Sequence, residues 1–446
     1  MLKTLLLLLF SASTFCIEAQ TPVYTLIYYP PTLSTGQTNA MSEFQPGTFA
    51  VLSLQGFNIF SLTSSGVYEP IYQFSGANNN QVLTMVQGAN GRLWGDGFSA
   101  AGSYYYSLPP SGTSLQQYPF PAQWGSLNQT ISAPPGVFYD LALGLIGTTE
   151  VYGFARLQEN GAITILHQFA PSEGYPSPYA FLTLGPGGNI YGIASEQKGG
   201  ISPFFIYSFT PAGTYTRLAT LPPAAEHATT FTPLIGSSHG KLYGALPAGG
   251  VYHTGGLFEV TPSGQYRALA SFPATGMSAP ATLMEATDGN IYGSTNADPQ
   301  EHSAIFRFNP DSKQLSTVYT LNGNQGICYC FLQEGMDGKL YGVTPTGGPY
   351  PGAGVIFSLD IGLAKPLPQV SSLFPSSGPV GQKVLLWGNY LLGATSVTFN
   401  GTPATNVVST SKRSVRATVP AGATTGPVTI TTANGSYTTT QSFTVQ

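Results

Sequence analysis

The sequence contains few charged residues for its length. Only 8% of its 446 residues are Asp, Glu, Lys or Arg, against about 25% in average soluble proteins. The 15 basic and 19 acidic residues give a net charge of −4, without the basic surface that nucleic-acid binding requires. The 54 glycines, 36 prolines and 12% aromatic residues favour turns and short strands. This composition argues against a nucleic-acid-binding protein and against a helical bundle.

Long apolar runs are also scarce. Residues 1–19 match a signal peptide, in which Lys3 precedes the apolar run Leu5–Phe10. That run is too short to span a bilayer, and no later segment is long enough either. We expect cleavage after Ala19, no membrane span in the mature chain, and export to the cell surface or beyond, with the periplasm as an alternative.

Cysteine is rare too, and two of the three cysteines fall after the signal peptide, as Cys328-Tyr329-Cys330. An exported compartment permits a disulfide, but a bridge between residues two apart closes a small, strained loop. A metal ion needs more ligands than this pair supplies. The pair is therefore either a local disulfide or two small loop residues, and we expect no metal and no cofactor.

A five-residue phrase recurs along the chain, clearest in Gly289-Asn290-Ile291-Tyr292-Gly293. Other copies place their aromatic residue at Trp94, Tyr191, Tyr243 and Tyr341. Each copy follows an apolar run and precedes two more β-prone runs, so each unit holds four strands. Degenerate copies at Phe49 and Ile146 bring the units to seven, spaced 45 to 52 residues apart. Four strands in about 40 to 50 residues predict a propeller blade.

The two ends of the repeat predict how the propeller closes. The seventh unit stops after residue 359 without a fourth strand, whereas Val23-Tyr24-Thr25-Leu26 reproduces the fourth-strand sequence Val318-Tyr319-Thr320-Leu321. An N-terminal strand that completes the last blade would remove an exposed sheet edge. We therefore predict an all-β chain with a seven-bladed β-propeller over residues 22–362.

The phrase itself suits a structural role. Its adjacent apolar residues predict a strand that is buried on both faces, since blades stack face to face. We expect its leading glycine in a tight turn with positive φ. We expect its trailing glycine where neighbouring blades approach closely.

The composition changes after a linker at residues 363–368, which contains Pro366 and Pro368. Residues 369–446 contain six or seven short alternating strands rich in Val, Thr, Ser and Gly. This pattern predicts an immunoglobulin-like β-sandwich. The sandwich has no cysteines, so its core must depend on apolar packing.

Two resemblances follow from these motifs. The phrase, followed by Phe-x-x-Thr-Pro-x-Gly, resembles the GloVer-type tandem repeat of bacterial exported proteins over roughly residues 45–360, which implies export and assigns no catalytic residue. Residues 369–446 resemble an IPT/TIG domain, which implies an extracellular module here. The residues that match the IPT/TIG pattern are Pro375, Gly378, Gly381, Gly388-Asn389, Phe399-Asn400-Gly401, Val419-Pro420 and Gly426. Tyr390 departs from it, because the family more often has Phe.

Propeller geometry sorts the loops into two faces. Turns between strands one and two, and three and four, are short. Connections between strands two and three, and from blade to blade, are long and varied, and such loops on a rigid scaffold tend to carry function. The candidate binding residues in these loops are Glu173, Tyr175, Glu226, His227, Tyr252, His253, Glu301, His302 and Tyr350.

These residues allow two interpretations. A pocket built from Glu226-His227, His253 and Glu301-His302 would suit acid–base or metal chemistry. Alternatively, the side chains are solvated and spread over different blades. The aromatic rings would suit stacking on sugars, or they pack as blade caps. The sequence has no HExxH, phosphate-loop or calcium-loop motif.

The sequence thus predicts an exported, non-enzymatic binding or scaffold protein whose loops bind polysaccharide or protein at the cell envelope. The alternative is a propeller enzyme that acts on glycans as a hydrolase or lyase. A compact acidic or histidine-containing cluster in a deep pocket would favour the enzyme. Dispersed, exposed groups would favour the binding protein.

Overall fold

The chain folds into short, mostly antiparallel strands. A computed structural model describes residues 20–28, 38–53, 58–74, 81–127, 130–176, 182–197, 201–222, 232–274, 280–296, 302–326, 331–344, 346–348 and 354–446. Within these ranges the helical segments are three single 3₁₀ turns, at Pro171–Glu173, Pro186–Gly188 and Gly323–Gln325. The described protein is therefore all-β, as its composition predicts.

Seven antiparallel sheets follow one another along the described part of residues 23–360. In each sheet the strands lie side by side from first to fourth, and in sheets 2, 3 and 4 the first strand is split into two pieces. The strands are Thr38–Gln45, Thr48–Ser53, Asn58–Thr63 and Tyr68–Gln73 in sheet 1; Gln81–Val82 with Val86–Gln87, Leu93–Ser99, Gly102–Leu108 and Gln116–Pro119 in sheet 2; Trp124–Ser126 with Ile131–Ala133, Val137–Ile146, Thr149–Gln158 and Ile163–Gln168 in sheet 3; Tyr175–Pro176 with Thr183–Leu184, Ile190–Gln197, Ile201–Phe209 and Tyr215–Thr220 in sheet 4; Ile235–Gly236, Leu242–Leu246, Gly256–Val260 and Tyr266–Ser271 in sheet 5; Pro280–Glu285, Ile291–Thr295, Ser303–Phe308 and Leu315–Leu321 in sheet 6; and Phe331–Glu334, Leu340–Thr344, Val355–Asp360 and Val23–Tyr28 in sheet 7.

These sheets stack face to face around a channel. The first strands of consecutive sheets contact one another in turn, and the first strand of sheet 1 contacts sheet 7. Apolar clusters fill the gaps between neighbouring sheets. In the gap between sheets 7 and 1, Tyr341 and Ile356 pack against Phe49 and Phe60. A ring of sheets stacked in this way is a β-propeller.

The first strand of the chain supplies the fourth strand of sheet 7. Val23–Tyr28 pairs with Val355–Asp360 in antiparallel register. The Tyr24 ring stacks on Phe357 with 5.3 Å between centroids, and its hydroxyl donates to the Gln325 carbonyl at 3.0 Å. The two ends of the ring are thereby joined by hydrogen bonds, in the order that the repeat predicts.

Residues 369–446 form a β-sandwich. Its first sheet contains Gln369–Phe374, Lys383–Asn389, Ser414–Thr418 and Thr405–Ser411, and its second contains Ser377–Gly378, Gly435–Val445, Gly426–Thr432, Ser396–Phe399 and Thr402–Pro403. The core between them is apolar, with Leu386 and Val415 from one sheet meeting Phe399 and Ile430 from the other.

Hydrogen bonds within and just before the repeated phrase hold a tight turn against the buried strand that follows it. Its aromatic side chains are at most 3% exposed, at Trp94, Tyr191, Tyr243, Tyr292 and Tyr341. The Tyr292 hydroxyl donates to Asp288 Oδ2 at 2.8 Å, and Asp288 Oδ1 accepts from the turn N–H of Asn290 at 3.0 Å. Gly289 between them has a φ of +76°, which a glycine adopts without strain. The phrase is therefore structural, as its pattern predicts.

The trailing glycine makes room inside one sheet. Gly293 pairs with Phe306 on the next strand, and a Cβ at Gly293 would overlap both the Phe306 ring and the Thr282 carbonyl of the first strand. The same arrangement recurs in the pairs Gly244 with Phe258 and Gly342 with Phe357. The expectation that this glycine lets neighbouring blades approach is therefore wrong, because the close approach is between paired residues of strands two and three.

In sheet 3 the phrase does not lie at Ile146. That side chain is 50% exposed, and it pairs with Thr149 at the tip of a hairpin. Tyr139 takes the aromatic position instead, since Ile131 pairs with it as Thr183 pairs with Tyr191 in sheet 4. The copy is Gly136-Val137-Phe138-Tyr139-Asp140, in which an aspartate replaces the trailing glycine.

A glutamate at the end of the first strand ties each of three sheets to the sheet before it. These bonds, the glutamate clasp, run from Ser238 N to Glu285 at 2.8 Å, from Thr287 N to Glu334 at 2.9 Å and from Met336 N to Glu43 at 3.1 Å. The three donors occupy the same place in their turns, two residues before the leading glycine of the phrase. The third bond joins sheet 1 to sheet 7 and so helps to close the ring.

We predict that Gly342→Ala destabilises the propeller. Because the three nearest atoms to the new Cβ all belong to the Phe357 ring, we expect a loss of about 1–3 kcal/mol of unfolding free energy, measured by denaturant unfolding. Phe357→Leu would relieve the overlap, so the double variant should lose less than the sum of the two single variants. Strictly additive losses would contradict this explanation.

Candidate functional site

The strand directions give the propeller two distinct faces. The turn face carries the short turns between strands one and two and strands three and four, such as residues 286–290 and 261–265. The loop face carries the connections between strands two and three and between sheets, such as residues 247–255 and 169–174. The sequence places its candidate residues on the loop face.

The sandwich sits on the turn face. Arg416 Nε donates to the Ala89 carbonyl at 3.2 Å, and Arg416 Nη2 lies 3.4 Å from Glu159 Oε2. The Ala89 side chain packs with Leu385 and Trp387 of the sandwich. Ala89 and Glu159 both belong to turns of the turn face, in sheets 2 and 3. This face is therefore an interface between the two parts of the chain.

A second group of contacts uses the glutamate clasp. Lys412 Nζ lies 3.3 Å from Glu43 Oε2 and also donates to the Glu334 carbonyl, while the Tyr390 hydroxyl donates to Glu334 Oε2 at 2.6 Å. Burial, and then the charge of Glu334, raise the pKa of Tyr390. The phenol therefore remains protonated and acts as a donor. The glutamates that close the ring thus bind the sandwich as well.

The sandwich closes the channel at the turn face. A cavity of about 580 Å³ occupies this end. All seven sheets line it from residues in or next to their first strands, namely Met41, Met85, Ile131, Leu182, Ile235, Leu283 and Leu332. Asn389, Tyr390 and residues 411–413 of the sandwich complete the wall. A ligand of the propeller must therefore use the loop face or the space between propeller and sandwich.

Two buried carboxylates lie between sheets 2 and 3. Asp96 and Asp140 are both fully buried, and the Thr130 hydroxyl lies between them, 3.2 Å from Asp96 Oδ1 and 3.4 Å from Asp140 Oδ2. Asp140 Oδ2 also accepts from the Tyr105 hydroxyl at 2.8 Å, whereas Asp96 Oδ2 has no hydrogen-bond partner in the described part of the chain. Burial raises the pKa of Asp96 above its usual value. Such a pair can hold a proton, which is what acid–base chemistry requires.

The sequence-based candidates do not include this pair. Asp96 comes two residues after Trp94 and Asp140 one residue after Tyr139, so both lie on a strand that the phrase marks as doubly buried. An acidic residue in such a strand is unusual, because an unpaired buried charge is costly. An aspartate in a strand predicted to be buried on both faces could have identified Asp96. It could not identify Asp140, because the sequence predicts the phrase of sheet 3 at Ile146 and not at Tyr139.

Glu173 and Tyr175 lie between sheets 3 and 4. Glu173 Oε2 is 2.8 Å from His167 Nε2 and accepts from Ala170 N at 2.8 Å. Tyr175 begins sheet 4, where it pairs with Ser195. Both residues thus make local structural contacts.

The other described candidates are exposed and belong to different sheets. Tyr252 is 57% exposed in the loop of sheet 5. His253 beside it is also exposed, with a φ of +57°. His302, just before the third strand of sheet 6, is exposed as well. These side chains do not share one deep pocket.

The remaining candidates lie outside the described residues. They are Glu226, His227, Glu301 and Tyr350, together with the cysteine pair Cys328 and Cys330. Within the described ranges, no group of three or more His, Cys, Asp or Glu side chains could hold a metal ion. The same ranges contain no helix long and apolar enough to cross a membrane.

The loop face instead exposes large apolar side chains. Their exposed fractions run from 38% to 78%, at Phe98, Leu145, Ile146, Val251 and Phe331. The first three lie at the ends of second strands, Val251 lies in a loop between strands two and three, and Phe331 begins a first strand. All five therefore lie on the face that the sandwich leaves uncovered, and exposed apolar groups are common where proteins bind partners.

Comparison with known proteins identifies the family. A model of the Gloeobacter/Verrucomicrobia repeat matches residues 185–397 and, in a second placement, 228–444. Together these matches span more than half of the chain, which therefore belongs to this family. The resemblance noted from the repeated phrase is thereby confirmed. No curated protein gives a significant sequence match.

Solved structures with similar folds are propeller proteins of low sequence identity. A catalytically inactive virginiamycin B lyase from Staphylococcus aureus with quinupristin is 14% identical, with a TM-score of 0.53 over 76% of this chain and 99% of that one. An oligogalacturonate lyase in complex with manganese is 10% identical, with a TM-score of 0.53 over 77% and 97%. A fungal alcohol oxidase of the AA5 family in complex with copper is 11% identical, with a TM-score of 0.53 over 95% and 100%. At these identities the likeness concerns the fold alone.

We predict that Lys412→Gln loosens the sandwich from the propeller. It would leave the Glu43 carboxylate, which is 1% exposed, without its cation, at a cost of about 3 kcal/mol. Thermal unfolding and limited proteolysis within residues 363–368 should both show the change. Lys383→Gln, at an exposed position of the sandwich, is the control. Equal stability of the two variants would contradict the role of Lys412.

We predict that Asp96→Asn changes how stability depends on pH. Burial raises the pKa of Asp96 in the folded state, so Asp96 stabilises the fold at pH values below its pKa in the unfolded state. This contribution to stability is lost as the pH rises through the pKa of the folded state. The variant should therefore gain in unfolding free energy relative to the wild type as pH increases from about 4, the unfolded pKa of Asp. Denaturant unfolding across that range would measure the difference. Asp311→Asn, on an exposed turn, is the control. If the difference in unfolding free energy between Asp96→Asn and the wild type does not vary with pH, the prediction is wrong.

Proposed function

We propose that the seven sheets are the blades of one seven-bladed propeller, over residues 22–362, and that residues 369–446 are an IPT/TIG domain behind the linker at 363–368. We also propose that residues 1–19 are a signal peptide and that the chain is exported to the cell surface or beyond. The seven inter-sheet clusters support the blade count. The two-sheet sandwich, whose Asn400 and Gly401 both have positive φ, supports the second assignment.

We infer that the protein is a non-enzymatic binding or scaffold protein whose loop face binds polysaccharide or protein at the cell envelope. The observation that carries this proposal is the docking of the sandwich on the turn face. It leaves the loop face as the free end of the propeller, and that face carries exposed apolar and aromatic side chains such as Val251 and Tyr252. Dispersed, exposed groups on a rigid scaffold suit binding better than catalysis.

A propeller enzyme that acts on glycans is the second candidate. The paired carboxylates Asp96 and Asp140 favour it, because acid–base cleavage of glycosidic bonds uses two carboxyl groups. Against it, both side chains are fully buried, so neither contacts a substrate in this conformation. Hydroxyl groups of Thr130 and Tyr105 already bind them. These bonds suit a structural role between sheets 2 and 3.

The test is a binding and turnover screen of the mature protein on an array of bacterial polysaccharides and with envelope proteins. We predict that Val251→Ser combined with Tyr252→Ser weakens binding at least tenfold without changing the melting temperature, since both side chains are exposed. Val408→Ser, at a site 52% exposed on the sandwich, is the matched control. Binding lost only in that control would overturn the assignment to the loop face.

Turnover decides between the two candidates. The binding protein should release no product from any glycan on the array. Product formation that disappears in Asp96→Asn, Asp140→Asn or His302→Ala, each still folded, would establish the enzyme instead.

A further inference from the structure

An open cleft remains between the sandwich and the turn face. The sandwich contacts the turns of sheets 1, 2, 3 and 7, but beside it the turns of sheets 3 to 6 line a cleft of about 820 Å³. On the propeller side the cleft is lined by small residues of the turns, such as Gly187 and Ser238. On the sandwich side it is lined by Gln369, Phe374 and Asn389. The cleft is separate from the loop face, because it lies at the opposite end of the propeller.

Arg413 reaches the inner end of this cleft. It occupies the turn between the strands Thr405–Ser411 and Ser414–Thr418, and it lines both the cleft and the closed end of the channel. Its guanidinium lies over the Trp387 ring, 5.2 Å from the centroid. Arg413 is an exposed residue, so its guanidinium is open to the cleft. A guanidinium stays protonated in proteins.

Arg413 has no anionic partner among the residues that the structure describes. Its neighbours Lys412 and Arg416 pair with Glu43 and Glu159, but no described carboxylate lies within ion-pair distance of Arg413. Glu285 lines the same cleft, yet its carboxylate already binds the turn of sheet 5. Its donors there are Ser238 N at 2.8 Å, Ser238 Oγ at 2.6 Å and Ser237 Oγ at 3.0 Å, and His239 Nδ1 lies 3.2 Å from Glu285 Oε1. Arg413 therefore gives the cleft a cation without a described carboxylate partner, and a cleft lined by charge of one sign attracts ligands of the opposite sign.

The rest of the cleft is suited to a hydroxyl-rich ligand. The side chains of Gln369 and Asn389 are exposed to the cleft and make no hydrogen bond with the described residues. Each amide offers donors and an acceptor to sugar hydroxyls. Phe374 is half-buried and presents an apolar ring of the kind on which sugars pack. A cation, free amides and an aromatic ring thus lie around one space.

We propose that this cleft binds an acidic saccharide, with a sugar carboxylate paired to the Arg413 guanidinium. The planar guanidinium can bind a carboxylate through two parallel hydrogen bonds, which an ammonium cannot do. The hydroxyls of the sugar would bind Gln369 and Asn389. The site lies away from the loop face and does not depend on the ligand proposed there.

The test is calorimetric titration of the mature protein with trigalacturonic acid and with its methyl ester. We expect saturable binding of the acid and at least tenfold weaker binding of the ester, which keeps the hydroxyls but has no charge. Arg413→Gln should weaken binding of the acid at least tenfold, and Arg413→Lys should fall between the two. Arg267→Gln, at an exposed arginine of sheet 5, should bind as the wild type does.

Stability supplies the second readout. Because Arg413 is exposed and forms no ion pair with the described residues, Arg413→Gln should melt close to the temperature of the wild type. If Arg413→Gln melts lower than the wild type, Asn389→Ala decides. Weaker binding of the acid by Asn389→Ala at an unchanged melting temperature supports the site, whereas unchanged binding of the acid overturns the proposal. Equal binding of acid and ester by the wild type, or unaltered binding by a folded Arg413→Gln, would also overturn the proposal.

Discussion

The propeller depends on how its ring is held together, and the glutamate clasp supplies a repeated bond for that purpose. Each clasp is a charge-assisted hydrogen bond from a turn N–H to a carboxylate, roughly twice as strong as a neutral one. Glu43 and Glu334 are 1% and 2% exposed, so their charges need full compensation. Backbone donors supply part of it, and Lys412 and Tyr390 of the sandwich supply more. Ring closure and docking of the sandwich therefore share the same carboxylates.

Much of the fold could be predicted from the sequence because its signals are local and periodic. The turn at Asp288-Gly289 and the buried aromatic Tyr292 lie within five residues of each other and bind one another directly. Such a unit keeps its pattern wherever it occurs in the chain, so its copies can be counted. The strand order at the two ends follows from the same count, and this is why the pairing of Val23–Tyr28 with Val355–Asp360 was foreseeable.

The sites were harder to predict because their contacts join distant parts of the chain. Lys412 and Glu43 are 369 residues apart, and Arg416 and Glu159 are 257 apart, so no local pattern relates them. Asp140 stands where other copies have a glycine, and this single change moved the predicted phrase of sheet 3 to Ile146. Of the candidate residues on the loop face, Tyr252 and His253 are exposed in one loop and His302 is exposed in another. Loop sequences fix neither the distance nor the direction of such side chains.

The two ends of the propeller differ in chemistry, and this difference bears on function. The loop face exposes apolar groups such as Val251 and Phe331, which suit a partner that buries surface. The turn face carries paired charges, because the interface with the sandwich excludes water and each charge there needs a counter-ion. Arg413 is the exception at that interface, and it is also the cation that lines an open cleft. A charge that contributes nothing to docking, yet is held over Trp387 where solvent can reach it, is better explained by a ligand than by the fold.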